Sequence, residues 1–212
     1  TVCQDSAYNR QIAFGEDILT RVFYSKDNAA ALEEIRQATL ATFQEVLEGL
    51  EEKSGYPVAS CGAMTVAGNT TMMHFLLGLD AFGVFAAPYA PRAMRFDPYP
   101  ARDLGLLLDG YVYCSPCRAN YLGGDIISGL VATNLTRESE ICVFLDIGTN
   151  GELVVGNREF LMAGAGAAGP ALEGGVVKTG MRAVEGAVSY VRLEQGTFYL
   201  TVIGGGAPQG LC

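Results

Sequence analysis

Asp146-Ile147-Gly148-Thr149-Asn150-Gly151-Glu152 stands between two apolar runs, 141–145 and 152–155, and its reading decides the fold. The first run is short and rich in β-branched and aromatic residues. The second begins immediately after Asn150-Gly151, the dipeptide of tight two-residue turns, so the segment predicts a β-hairpin with a polar tip. A strand that ends in Asp and turns through Gly, Thr, Asn and Gly gathers backbone N–H groups and a hydroxyl around one carboxylate. Phosphate oxygens accept from such N–H groups, Gly148 and Gly151 let the backbone approach without a Cβ, and Asp146 can hold Mg²⁺ directly or through water. The same residues also read as a plain hairpin whose Asn-Gly supplies the turn, so the rest of the chain has to decide.

Upstream of the hairpin, Gly123-Gly124-Asp125 opens a helix over 126–134, in which Ser128, Gly129 and Ala132 leave one side thin enough for a close helix crossing. Further back, Leu32, Ile35, Thr39, Phe43, Val46, Leu47 and Leu50 recur at three- and four-residue steps, with Glu33, Glu34, Glu45, Glu48 and Glu51 on the other face. That periodicity predicts an amphipathic helix capped by Asp27 or Asn28 and ended by Gly55-Tyr56-Pro57, after a shorter helix within 8–24. Residues 58–67 read as a buried strand of a parallel sheet, and Gly68-Asn69-Thr70-Thr71 leads from it into a helix over 72–79. Between 87 and 116 the chain holds five of its eight Pro, which predicts irregular structure, a short helix over 101–108, and a lid or partner-facing segment. Downstream, 160–163 reads as a third strand, 164–175 as a small-residue loop closing on Glu173-Gly174-Gly175, and 188–193 with 197–203 as a further hairpin. The composition shifts at 138–140, so a first lobe is expected over 1–137 and a second over 138–212.

The chain has 212 residues, half of them apolar, with 27 Gly and no Trp, enough to bury a core in one large domain or two lobes. Its net charge of −9, with 14 scattered Lys and Arg, offers no basic stripe to a nucleic acid. No apolar run reaches the roughly 18 residues of a membrane helix. The opening residues lack the features of a secretion signal, and six Cys fit reduced thiols, so a soluble, cytoplasmic protein is expected. Cys61 and Cys142 lie in apolar runs and are expected in the core. The polar start and the glycine-rich end predict a piece of a longer protein.

These features in this order resemble the ATPase region of reductive activators of corrinoid proteins: helix, buried strand, Ala67-Gly68-Asn69-Thr70-Thr71-Met72, the Gly123-Gly124-Asp125 helix, the Asp146 hairpin, then Gly169-Pro170-Ala171-Leu172-Glu173-Gly174-Gly175. The resemblance covers nearly the whole chain. It implies an actin-like, ribonuclease-H-like α/β fold of the two-lobed ASKHA ATPase type, distantly similar to seventy-kilodalton heat-shock chaperones and sugar kinases, with ATP and Mg²⁺ in a cleft. It implies that Asp146, Gly148, Thr149, Asn150 and Gly151 form the second phosphate loop, with Asp146 as metal ligand. Gly68, Asn69 and Thr70 are expected at the same cleft, with Asn69 and Asp125 beside Asp146 as catalytic groups, and Glu173, Gly174 and Gly175 near the ribose and phosphates. The family's first phosphate hairpin is expected upstream of Thr1, its adenosine motif beyond Cys212, and its iron–sulfur cluster in a domain outside these residues. The fold is thus expected to be truncated at both ends and barely able to hydrolyse ATP by itself.

The implied activity is ATP-dependent reduction of corrinoid cobalt from Co(II) to Co(I), with a corrinoid protein as partner and room for a homodimer. Two other readings stay open: a small-molecule kinase of the same superfamily, and a docking module without catalysis. Cys114-Ser115-Pro116-Cys117 reads as a metal pair, a redox pair or a proline-rich turn with two thiols. His74, the single His, reads as a packed residue rather than a catalytic one, and Asp125 equally as a helix cap.

Overall fold

Two units, Thr1–Asn134 and Leu135–Cys212, make up the chain in the computed structural model, which describes residues 2–15, 17–148, 150–167 and 179–212. The boundary falls just after the helix that the sequence places before the hairpin.

The first unit runs α1 (Ile18–Ser25), α2 (Ala29–Ser54), β1 (Ala63–Val66), α3 (Thr70–Leu76), α4 (Phe82–Phe85), β2 (Tyr99–Pro100), α5 (Ala101–Leu104), β3 (Tyr111–Cys114) and α6 (Gly124–Ala132). Helix α2 begins where Asn28 Oδ1 accepts from the Ala31 N–H at 3.1 Å, a cap worth about 1 kcal/mol. It ends at Gly55, whose φ of +72° suits glycine and whose N–H reaches Glu51 O at 2.8 Å. The inner side of α2 serves two cores. Ile35 packs with Val22, Phe75 and Ala81, while Leu40 joins Val66, Met73, Leu76, Leu104, Leu106, Leu108 and Val112. A buried polar knot fixes the N-terminal arm to this helix: Arg21 donates to Gln11 Oε1 at 3.1 Å and to Gly15 O at 2.9 Å, and Gln11 bonds Thr39.

Strands β1 and β3 pair in parallel, with Val66 opposite Cys114, and β2 pairs antiparallel to β3. The strand expected over 58–67 is confined to 63–66, because Val58–Ser60 close a 3-10 turn. Cys61 lies between the two and is exposed, which corrects its expected core placement; Cys142 is half-buried. Strand β3 falls inside the stretch expected to be irregular. Its Val112 and Cys114 are buried while Tyr111 and Tyr113 face out, the two-residue alternation of a half-covered strand. Since β1 and β3 run the same way, the loops that follow them emerge at one edge of the sheet, where α/β proteins collect ligands.

In the second unit β4 (Cys142–Ile147), β5 (Asn150–Gly156) and β6 (Leu161–Ala167) form an antiparallel sheet in that order. Strands β7 (Ala187–Glu194) and β8 (Thr197–Val202) form the second hairpin, and β9 (Gly210–Leu211) pairs in parallel with β7. Gln195 and Gly196 turn that hairpin with φ of +48° and +81°, the left-handed pair its twist demands. Among the described residues no helix is long and apolar enough to cross a membrane.

Candidate functional site

At the tip of the β4–β5 hairpin, the ladder sets Asp146 directly opposite Glu152, and Glu152 opposite Ala165 of β6. The two carboxylates therefore share one face of the sheet. Oxygen donors of this kind suit a hard divalent ion such as Mg²⁺. Sequence reasoning used Glu152 to start a strand and missed this pairing, although its position, as far past Thr149 as Asp146 lies before it, carried the signal.

Gly148 donates its own N–H to Asn150 O at 2.9 Å, closing the turn. A Cβ placed on it would meet nothing nearer than Asn150 O at 3.9 Å, and its φ lies outside the left-handed range. Among the described residues neither crowding nor conformation requires glycine at 148. Asn150 is exposed at the start of β5, and Gly151 stands between Ile147 and Gly166 in the sheet. Thr149, Glu173, Gly174 and Gly175 lie outside the described residues.

In the first unit, the loops after β1 and β3 meet. Gly68 resembles Gly148: an added Cβ would make ordinary contacts at 3.7 Å with Met72 and Met73. Asn69 caps α3, its Oδ1 accepting from the Met72 N–H at 2.9 Å. That bond engages Oδ1 and not the amide NH₂. Thr70 is fully buried and donates its hydroxyl to Ala119 O at 2.8 Å, so it ties the two loops together inside the protein. The cap position of α6 belongs to Gly123 rather than Asp125. Asp125 lies in the first turn, where a carboxylate complements the helix dipole; its N–H reaches Gly68 O at 3.3 Å and its Oδ1 accepts from the Ile126 N–H at 2.8 Å.

His74 is buried, with Nδ1 donating to Thr70 O at 2.6 Å and Nε2 accepting from the Ala93 N–H at 3.4 Å; burial pushes its pKa down, so it stays neutral. Cys114 and Cys117 are both buried. Loss of solvent raises the Cys114 pKa to about 11 and that of Cys117 in the same direction, which keeps both as thiols and favours the packed-turn reading. Among the described residues no group of three or more His, Cys, Asp and Glu could hold a metal ion. Over 87–121, Tyr89, Tyr111, Tyr113, Tyr121, Arg92 and Arg95 are exposed, and Arg92 stands a loose 3.9 Å from Asp80.

The family model described as the RACo middle region matches residues 1–138, and the one described as the C-terminal domain of RACo, the ASKHA domain, matches 140–212. The corrinoid activation enzyme RamQ of Eubacterium limosum is 32% identical over 211 residues, covering 99% of this chain and 35% of that protein. A solved structure of a reductive activator for corrinoid, iron-sulfur protein matches with a TM-score of 0.77 and 41% identity, over 97% of this chain and 33% of that one. The chain therefore spans about a third of the length of these relatives. With its middle region over 1–138 and an ASKHA domain from 140 onward, the chain belongs to the RACo family.

Proposed function

We propose that the full-length protein is an ATP-dependent reductive activator, returning the cobalt of a corrinoid protein from Co(II) to Co(I), and that this chain supplies its phosphate-binding hairpin. The observation that carries the reading is the Asp146 tip: two carboxylates on one face of the hairpin, with a glycine at the turn whose Cβ position meets only Asn150 O within 4 Å among the described residues, in a member of the RACo family. In this reading Asp146 and Glu152 hold Mg²⁺, which when bound offsets phosphate charge and polarises the transferred group. Gly148 gives the phosphate oxygens room, and Thr149, Asn150 and Gly151 donate to them. The Asn69 amide and Asp125 orient the attacking water or a phosphate oxygen, a contribution made through placement. Glu173, Gly174 and Gly175 line the ribose and phosphate side. The electron comes from an iron–sulfur domain outside these residues, and the work is done in the cytoplasm.

The exposed Tyr and Arg residues of 87–121 form the docking face for the corrinoid protein, since rigid aromatics and Arg lose little entropy on binding. The test mixes the reduced full-length protein with a purified corrinoid protein held as Co(II) and follows Co(I) formation by absorbance. ATP with Mg²⁺ is expected to raise the rate at least tenfold over a non-hydrolysable analogue. Equal rates with and without ATP would contradict the reading.

A further inference from the structure

Gly123 is crowded where Gly68 and Gly148 are open. A Cβ placed on it would stand 2.6 Å from Gly68 O and 2.7 Å from the Asn69 carbonyl carbon, and closer still to Asn69 Cα. Its φ of −85° and ψ of −170° are extended backbone that any residue adopts, so contact and not conformation demands glycine. The contact is backbone against backbone, and no side chain can swing aside to relieve it. Around it, a Cβ on Gly124 would stand 2.7 Å from Ser115 O, and Ser115 and Ser128 share a 2.7 Å hydroxyl bond. The Asp125 N–H meets Gly68 O, and the Thr70 hydroxyl meets Ala119 O. The start of α6 and the loop carrying Asn69 thus form one close joint at the edge where β1 and β3 end.

We propose that Gly123 is a positioning residue for Asn69: its missing side chain lets α6 seat against the 68–70 loop and so fixes where the Asn69 amide meets the nucleotide phosphate or its attacking water. This inference rests on the role given to Asn69 above. Alanine at 123 forces the two backbones apart by about 1 Å, because contacts of 2.6 and 2.7 Å must open to at least 3.4 Å. Misplacing an orienting group by that much costs on the order of 100-fold in rate. The loss falls on kcat, since Asn69 acts on the reacting group rather than on overall nucleotide affinity.

The experiment measures ATP hydrolysis by the full-length protein as parent, Asn69→Ala, Gly123→Ala and the double variant, with kcat and KM separated. Each single change is expected to lower kcat by about 100-fold with KM within about threefold of the parent. The double variant is expected to be no slower than the slower single one, because Gly123 works through Asn69. Thr70→Val frees the loop from Ala119 without adding volume; it should lower kcat in the parent background and not in the Asn69→Ala background, and it carries the test if Gly123→Ala fails to fold. Additive losses, or a Gly123→Ala kcat within threefold of the parent beside a slow Asn69→Ala, overturn the proposal and leave the Asn69 reading standing. A parent-like Asn69→Ala overturns that reading itself, and the role of Gly123 with it.

Discussion

Alanine in place of Gly148 should move stability and ligand affinity in opposite directions. The added methyl has its nearest neighbour, Asn150 O, at 3.9 Å, and the backbone at 148 is not left-handed. Among the described residues nothing resists it, while the unfolded chain loses freedom, a gain of about 0.4–1 kcal/mol. For a unit of this size that raises Tm by roughly 2–8 °C. The same methyl occupies the space assigned to a phosphate oxygen. Losing one charge-assisted hydrogen bond there costs about 1.5–3 kcal/mol, or roughly 10- to 150-fold in Kd. The assay pairs thermal unfolding of the full-length protein with calorimetric titration of ATP and Mg²⁺. A parent-like Kd together with an equal or higher Tm would mean that no ligand comes close to Gly148, and the phosphate reading of the tip would fail. A lowered Tm with parent Kd would mean that the glycine serves the chain and not a ligand.

Stability should also depend on pH through His74. Its pKa lies below the ordinary 6.5 because it is buried. The unfolded chain therefore takes up a proton that the folded one refuses: the contribution is fully present above pH 6.5 and declines as pH falls from there toward the folded pKa. Urea unfolding at pH 7.5 and 5.5 should show a smaller decline for His74→Gln than for the parent, and an equal decline would contradict this. Phe75→Ala empties a fully buried site among Val22, Ile35 and Ala81 and should cost about 3–5 kcal/mol, with a loss below about 1 kcal/mol refuting the packing described. Arg92→Ala with Arg95→Ala, both exposed, should leave the fold within about 0.5 kcal/mol and weaken binding of the corrinoid partner. Equal affinities of parent and double variant, with and without an ATP analogue, would remove the docking assignment.

Where one period dominates, the fold was legible from the residues. Three- and four-residue spacing in 32–50, with Asn28 and Gly55 at its ends, gave α2 almost to its caps, and two apolar runs around a glycine-rich tip gave the β4–β5 hairpin, although Asn150 and Gly151 lie in β5 and do not form its turn. Strand β3 was hidden because Tyr111-Val112-Tyr113-Cys114 sits among prolines and puts its two aromatic residues on the exposed face, so the alternation appears only once burial is known. At the candidate site, residue types and order were legible and roles less so. Thr70 reads as a hydroxyl for a ligand until its bond to Ala119 O, 49 residues away, is seen. Gly123 reads as a helix start until the loop it presses against, more than fifty residues earlier in sequence, is in place. Side-chain chemistry is local, whereas commitment of a side chain is set by long-range packing.

The central claim, that the Asp146 hairpin performs nucleotide chemistry, is tested most directly by the ATP hydrolysis rate of Asp146→Ala in the full-length protein, measured beside its Tm. The account predicts a folded variant whose rate falls by about 100- to 1,000-fold, the roughly 2.7–4 kcal/mol that one preorganised electrostatic group supplies to a transition state. A folded Asp146→Ala that hydrolyses ATP at the parent rate would contradict it.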